Sequence, residues 1–234
     1  MKLKSFGCSF IYGSDLADDG RGHLFATPSR LTWPALLAND LNYTYECYAR
    51  PGAGNLRTLE KILNQAYSED PAVFVIGWTW IDRFDYTTVP TEPTVRSEFI
   101  GNEVWKTVMP IDTDSRASNY YRDLHSQYRD KFTNLVYIKT AIDTLNQKGI
   151  PFVMTYMDEL LFETQWQCTN AVKDLQNYIR PCMTTFEGST FLDWSGKKGF
   201  PISDSLHPLE QAHSAAADYM ITVFDRQKIN GLAQ

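Results

Sequence analysis

An unbroken apolar run constrains the fold more than any other feature of the sequence. Residues 72–77 read Ala-Val-Phe-Val-Ile-Gly and contain no polar side chain. A strand with one face in water alternates apolar and polar residues, whereas an unbroken run is covered on both faces, as in a parallel sheet between two layers of helices. The run therefore predicts an α/β protein.

Periodicity elsewhere in the chain fits the same architecture. Apolar, β-branched or aromatic runs predict four more strands, over residues 3–8, 43–49, 151–156 and 190–193. Apolar residues at helical spacing predict the intervening helices, over residues 31–41, 55–67, 119–148, 169–185 and 208–229. This alternation predicts a three-layer α/β/α fold with a central five-stranded parallel sheet.

The sequence predicts one domain over residues 1–234, because it contains no internal repeat and no Gly/Ser-rich linker. The stretch 78–118 is too long for an ordinary connection and predicts a functional or partly structured insertion. It is rich in aromatic residues. Trp78 and Trp80 directly follow the third predicted strand, which favours contact with a substrate, and aromatic faces suit a saccharide. Alternatively, the insertion buries a small core of its own.

Charge and composition exclude several classes of partner. The chain has 22 Lys and Arg against 28 Asp and Glu, a net charge of -6, which argues against nucleic acid or an anionic membrane. Its four cysteines include no Cys-x-x-Cys pair, so we expect no zinc site. The amino-terminal residues lack a signal-peptide pattern, and no apolar run is long enough to span a bilayer. We expect a soluble, intracellular product whose oligomeric state stays open.

Parallel sheets place their sites at the carboxyl ends of the strands, and Ser9 follows the first predicted strand directly. A serine presented there is a candidate nucleophile if a base lies nearby, although Gly-x-Ser also suits an ordinary turn. Asp204-Ser205-Leu206-His207 precedes the last helix. The Asp204 carboxylate can orient one imidazole nitrogen and leave the other facing a serine. The alternative is a histidine at a helix cap that is hydrogen-bonded to a local aspartate.

A glycine-rich turn follows the second predicted strand. Gly52, Gly54 and Asn55 lie just before a helix, where backbone N–H groups and a side-chain amide suit an oxyanion hole. A simple turn with Asn55 as the helix cap is the other interpretation, and both can hold together.

Taken together, these segments resemble the SGNH, or GDSL-type, hydrolases. The segments Trp33-Pro34-Ala35-Leu36-Leu37-Ala38 and Pro51-Gly52-Ala53-Gly54-Asn55 are similar to members found in bacteriophage genomes. The resemblance covers nearly the whole chain and implies a flavodoxin-like fold. It also implies ester or O-acetyl hydrolysis through a serine acyl-enzyme, without cofactor or metal. Carried over, Ser9 is the nucleophile, His207 the base and Asp204 its orienter. The N–H groups of Ser9 and of Gly54, with Gly52 as the second choice, form the oxyanion hole.

Two positions depart from the family pattern. Cys8 replaces the aspartate of Gly-Asp-Ser; it is a rival nucleophile, but alternation along the strand points it into the core if Ser9 faces His207. Thr79 stands where the family has an oxyanion-binding asparagine. A threonine hydroxyl donates with shorter reach, and Asn55 is a candidate substitute. Losing one such donor typically costs about 10²–10³ in rate.

The sequence thus predicts a serine esterase acting on short acyl esters, O-acetyl esters above all, of a small molecule or saccharide. Arg83 is expected to hold an anionic substrate group or to pair with Asp82 or Asp85. The alternatives are an inactive binding or structural module, for example on a phage particle, and an acyltransferase using the same residues. The protein is accordingly expected in the cytoplasm or on a virion.

Overall fold

The computed structural model describes residues 1–20, 27–68, 70–89, 99–100 and 102–231. Its strands are β1 (Lys2–Gly7), β2 (Thr44–Cys47), β3 (Ala72–Trp78), β4 (Phe84–Thr88), β5 (Phe99–Ile100), β6 (Glu103–Val108) and β7 (Phe152–Tyr156). Its α-helices are α1 (Ser9–Tyr12), α2 (Trp33–Asp40), α3 (Asn55–Ala66), α4 (Ser115–Asn119), α5 (Gln127–Lys148), α6 (Asn170–Ile179), α7 (Phe191–Lys197) and α8 (Glu210–Gly231). Short π- and 3₁₀-helical turns cover Tyr120–Leu124, Glu159–Phe162 and Arg180–Cys182.

The central sheet is parallel, as the apolar run predicts, but it has four strands in the order β2-β1-β3-β7. The predicted fifth strand, residues 190–193, is wrong. Thr190 instead caps α7: its hydroxyl accepts from the Asp193 N–H and donates to the Asp193 carboxylate. A single parallel bridge between Met154 and Met183 extends the sheet beyond β7.

Helices cover both faces of this sheet. On one face, side chains of β1, β3 and β7 pack with α2 and α8, including Leu3, Val73, Val75, Leu37 and Met220. On the other face, alternate residues pack with α3 and α5, including Phe74, Ile76, Ile62 and Ile138. This layering explains why β3 has no polar position. Among the described helices, none is both long and apolar enough to cross a bilayer.

The insertion contains a second, antiparallel sheet in the order β4-β6-β5. Residues 90–98 and 101 of the predicted insertion lie outside the described residues. Asp85 of β4 fastens this sheet to the start of α3. Its Oδ1 accepts from the Gly54 N–H at 3.0 Å and the Thr107 hydroxyl at 2.6 Å, and its Oδ2 accepts from the Arg57 N–H at 2.9 Å.

Two glycines allow α1 to begin directly at the end of β1. Gly7 and Gly77 are register partners on neighbouring strands, and Ile11 of α1 lies over both. A Cβ on Gly7 would lie 2.6 Å from the Gly77 carbonyl oxygen, and the φ of Gly7 is +146°, which side-chain-bearing residues rarely adopt. The chain can therefore turn sharply and present the next residues at the carboxyl edge of the sheet.

Candidate active site

Ser9 is the first residue of α1 and is 7% exposed. Its hydroxyl lies 2.8 Å from Nε2 of His207, within hydrogen-bond distance. Because Ser9 occupies the first helical position, its backbone N–H has no acceptor inside the helix and remains able to donate to a ligand. Cys8, the rival nucleophile, is 1% exposed and packs in the apolar cluster beside β1.

His207 belongs to a tight turn that precedes α8. The Ser203 N–H donates to the His207 carbonyl at 2.9 Å, and the His207 N–H donates to the Ser203 hydroxyl at 3.1 Å. Leu206 has a φ of +64°, an uncommon conformation for a bulky residue, and its side chain is exposed. The Phe10 ring packs edge-on against the imidazole, with 5.0 Å between centroids. The hydrogen bonds with Ser203 thus fix the backbone of His207, and the Phe10 ring packs against one side of its imidazole.

The carboxylate beside Nδ1 of His207 belongs to Asp15. Its Oδ2 lies 2.5 Å from Nδ1 and also accepts from the hydroxyls of Ser203, at 2.6 Å, and Ser205. Asp204, the orienter expected from the sequence, is exposed. The geometry therefore differs from the expected Asp-x-x-His arrangement. Asp15 carried no sequence signal of its own, because only the path of the turn after α1 brings it to the imidazole.

Two of the expected oxyanion donors in the glycine-rich turn, Gly54 and Asn55, form hydrogen bonds within the fold. The Gly54 N–H donates to Asp85, which is 5% exposed. Burial raises the pKa of the Asp85 carboxyl, while the N–H and hydroxyl groups that donate hydrogen bonds to it lower the pKa. The Asn55 amide donates to the Thr79 carbonyl at 3.0 Å and to the Asn134 side chain at 2.7 Å, and it accepts from the Thr79 N–H at 2.8 Å. Asn55 consequently ties the turn to the end of β3.

The two remaining oxyanion candidates differ in their surroundings. Gly52 is half-buried in the turn, with a φ of +74° that favours glycine. Thr79 is 2% exposed, and its hydroxyl oxygen is buried without a hydrogen-bond partner in the described part of the chain. Burying a hydroxyl without a hydrogen-bond partner costs free energy, so such groups are uncommon and the Thr79 hydroxyl calls for an explanation. The Ser9 N–H, in contrast, belongs to the residue whose hydroxyl contacts His207.

The three residues predicted to contact substrate, Trp78, Trp80 and Arg83, differ in burial and in the groups they contact. Trp78 is the last residue of β3 and is fully buried on the same face as Phe74 and Ile76, because the strand extends one residue further than the sequence predicted. Trp80 is half-buried and packs edge-on against Phe10, with 5.5 Å between centroids.

Arg83 extends the same row of rings. Its guanidinium lies 5.0 Å from the centroid of the Trp80 ring, and it donates to the Ala53 carbonyl at 3.0 Å. Arg83 also lowers the pKa of Asp82, although burial is the larger effect and raises it overall. Phe10, Trp80 and Arg83 therefore form a continuous wall that starts at His207 and ends at the glycine-rich turn.

Within the described ranges, no group of three or more His, Cys, Asp or Glu residues is arranged to hold a metal ion. The Ser9 hydroxyl, the His207 imidazole and the Asp15 carboxylate lie in series. The neutral imidazole can accept the Ser9 proton at Nε2 while the carboxylate stays hydrogen-bonded at Nδ1.

Comparison with known proteins shows the fold. No family model and no curated protein matches the sequence. The psychrotrophic esterase EstA from a Pseudoalteromonas species, in a crystal structure inhibited by monoethylphosphonate, is 11% identical with a TM-score of 0.52, over 97% of each chain. A member of the lipolytic G-D-S-L family from Veillonella parvula is 14% identical with a TM-score of 0.50, over 97% of this chain and 99% of that one. The chain therefore has the fold of the G-D-S-L, or SGNH, esterases.

Proposed function

We propose that this protein is a serine ester hydrolase in which Ser9 is the nucleophile and His207 the general base. The observation that carries the proposal is the 2.8 Å contact between the Ser9 hydroxyl and Nε2 of His207 at the carboxyl edge of the sheet. The esterase folds that resemble the chain support it further.

The proposed reaction has two halves. The Ser9 oxygen attacks the ester carbonyl while its proton moves to Nε2 of His207, and the tetrahedral oxyanion forms beside the Ser9 N–H. Collapse of this intermediate breaks the ester bond, and the leaving alcohol takes the proton from His207. Water then attacks the acyl-enzyme carbonyl and gives a proton to Nε2 of His207. Collapse of this second intermediate breaks the bond to the Ser9 oxygen, which takes the proton back from His207, and the acid leaves.

Short acyl esters, O-acetyl esters first among them, are the proposed substrates, and the alcohol is a saccharide or another small molecule. The half-buried Trp80 and the adjacent Arg83 support a sugar, because an aromatic face and a guanidinium offer stacking and hydrogen bonds. Transfer of the acyl group to a sugar instead of water would use the same Ser9 and His207.

Hydrolysis of p-nitrophenyl acetate by the wild type and by Ser9→Ala tests the proposal. The variant lacks the nucleophile, and we expect turnover to fall by at least about 10³-fold. Intact-mass measurement after treatment with a serine-directed phosphonate should show one adduct on the wild type and none on Ser9→Ala. Release of acetate from an acetylated saccharide then separates a sugar esterase from a general one.

Two further variants serve as controls for the assignment of Ser9 as the nucleophile. Ser118→Ala removes an exposed serine of α4 and should leave turnover and adduct unchanged. Cys8→Ala removes the rival nucleophile and should also retain activity. Loss of turnover in Cys8→Ala with activity retained in Ser9→Ala would overturn the choice of nucleophile.

A binding module without catalysis is the second candidate, and the engaged donors of the glycine-rich turn favour it. The Gly54 N–H and the Asn55 amide both have partners inside the fold, and Thr79 replaces an asparagine. Absence of both turnover and adduct in a folded wild-type protein, together with binding of an acetylated saccharide by calorimetry, would support this function. Such a module could be associated with a phage particle.

A further inference from the structure

The imidazole of His207 is held between two groups that the same short segment supplies. Ser9 lies at Nε2, and Asp15, only six residues later, lies at Nδ1. The side chains of His207 and Asp15 are each 14% exposed, so water has little access to the contact between them. Asp204, which the Asp-x-x-His pattern would place there, is exposed.

The backbone explains how Asp15 returns toward His207. The N–H groups of Gly13 and Ser14 both donate to the Ser9 carbonyl, at 2.8 and 3.0 Å, which ends α1 after one turn. Asp15 then adopts a φ of +74°, and its N–H donates to the Asp19 carboxylate at 2.8 Å. A non-glycine residue held at positive φ needs support from its surroundings, and the hydrogen bond to Asp19 supplies part of it.

The carboxylate is in turn fixed by the turn that carries His207. Both Ser203 and Ser205 donate their hydroxyls to Oδ2 of Asp15, and the Ser205 hydroxyl lies 3.1 Å from Nδ1. The Ser203 hydroxyl also accepts from the His207 N–H at 3.1 Å. Carboxylate and imidazole therefore belong to one hydrogen-bonded unit that joins α1 to the segment before α8.

We propose that Asp15, and not Asp204, is the positioning residue that sets the tautomer and orientation of His207. This inference rests on the proposed function. With its proton on Nδ1, directed at Asp15, the imidazole has its lone pair on Nε2, where it faces the Ser9 hydroxyl. When His207 takes the serine proton, the Asp15 carboxylate stabilises the imidazolium that forms. The acid of this triad thus comes from the nucleophile's own turn.

The kinetic test compares Asp15→Asn with the matched variant Asp204→Asn, using p-nitrophenyl acetate and circular dichroism to verify folding. An asparagine amide that donates to Nδ1 favours the wrong tautomer, so we expect kcat of Asp15→Asn to fall about 10³–10⁴-fold with KM little changed. Asp204→Asn should keep wild-type kcat. The opposite pattern, with Asp204→Asn impaired and Asp15→Asn active, would overturn the proposal.

The pH profile separates positioning from mere structural support. Among the described residues, Asp15 contacts the imidazole, the neutral and buried His213 interacts with it electrostatically, and the Asp19 carboxylate accepts the Asp15 N–H. Asp204 and Glu210 lie three residues before and after His207 in the sequence. Removing the negative charge of Asp15 removes the nearest support for the imidazolium. The acid limb of kcat/KM should therefore move to lower pH in Asp15→Asn and stay in place in Asp204→Asn. An unmoved limb in both variants would contradict the proposal.

A spectroscopic measurement separates this proposal from the proposed function. ¹⁵N NMR of histidine-labelled protein reports the tautomer of His207, which is assigned by comparison with His207→Gln and needs no turnover. The neutral ring should carry its proton on Nδ1 in the wild type and lose this preference only in Asp15→Asn. An inactive wild type with this tautomer would refute the hydrolase and retain the positioning role. A proton on Nε2 in the wild type would refute the positioning role.

Discussion

Lowering the pH from about 7 to about 5 should destabilise the fold through one buried histidine. His213 of α8 is 2% exposed, and its Nδ1 accepts the Trp33 N–H at 3.0 Å. Burial, with the charge of His207 as the second cause, lowers the pKa of His213 from 6.5 to about 3. A proton on Nδ1 would face the Trp33 N–H donor to donor, so the folded protein holds this ring neutral.

The pH dependence of stability follows from the difference between the pKa of His213 in the folded and in the unfolded protein. The unfolded chain protonates this histidine near 6.5 and the folded chain near 3, so the unfolded state binds the extra proton between these values. The contribution is fully present above pH 6.5 and is lost as the pH falls toward 3. The slope is about 1.4 kcal/mol per pH unit, which gives about 2 kcal/mol between pH 7 and 5. That is a large share of a typical stability of about 5–15 kcal/mol.

Urea unfolding of the wild type and His213→Asn at several pH values measures this contribution. The asparagine oxygen can accept the Trp33 N–H but does not titrate, and all other titrating groups are common to both proteins. The loss of unfolding free energy between about pH 7 and 5 should be about 2 kcal/mol smaller in the variant, even if its stability at neutral pH is lower. Equal pH slopes in the two proteins would show that His213 does not stay neutral in the folded protein.

Two further substitutions test the packing around the site. Thr79→Val replaces a buried hydroxyl that has no partner among the described residues by a methyl group of similar size. The free energy of unfolding, measured by urea titration, should rise by about 1 kcal/mol. A loss of stability would reveal a hydrogen bond to that hydroxyl. Gly7→Ala places a Cβ 2.6 Å from the Gly77 carbonyl oxygen. We expect the free energy of unfolding to fall by more than about 2 kcal/mol and esterase activity to fall as well, because the turn that presents Ser9 must shift. Unchanged stability in Gly7→Ala would show that the two strands separate at little cost.

The parallel sheet and its helical layers were predictable because the unbroken run in β3 carries the signal of burial on both faces. Helix α7, which stands where the sequence predicted a fifth strand, was missed, although Thr190 and Asp193 have the spacing of a helix cap and its partner. Four residues of mixed β propensity could not reveal that this local hydrogen bonding favours a helix. The same limitation placed Trp78 in a loop, since strand ends depend on pairing with neighbours that the sequence does not display.

The meeting of Ser9 with His207 could be expected from the rule that sites lie at the carboxyl ends of parallel strands. The carboxylate could not. Asp204 has the favourable spacing, but Leu206 at positive φ directs the turn so that Asp204 remains exposed. Asp15 reaches the imidazole with a positive φ of its own, two residues after the glycine that ends α1. Long-range geometry, rather than local spacing, selects between the two acids.

The contact between Ser9 and His207 joins residues far apart in the sequence, and this separation determines when the protein becomes reactive during its synthesis. Ser9 and His207 are 198 residues apart. At about 5–20 residues per second, roughly 10–40 s separate the incorporation of the nucleophile from that of its base. Throughout this interval a ribosome-bound chain carries Ser9 and Asp15 without the His207 imidazole, and the Ser9 hydroxyl has the low reactivity of an ordinary alcohol. On the proposed mechanism, ester hydrolysis begins only when α8 packs against α2 and brings His207 to the sheet edge, so the order of translation itself keeps the unfinished chain inert.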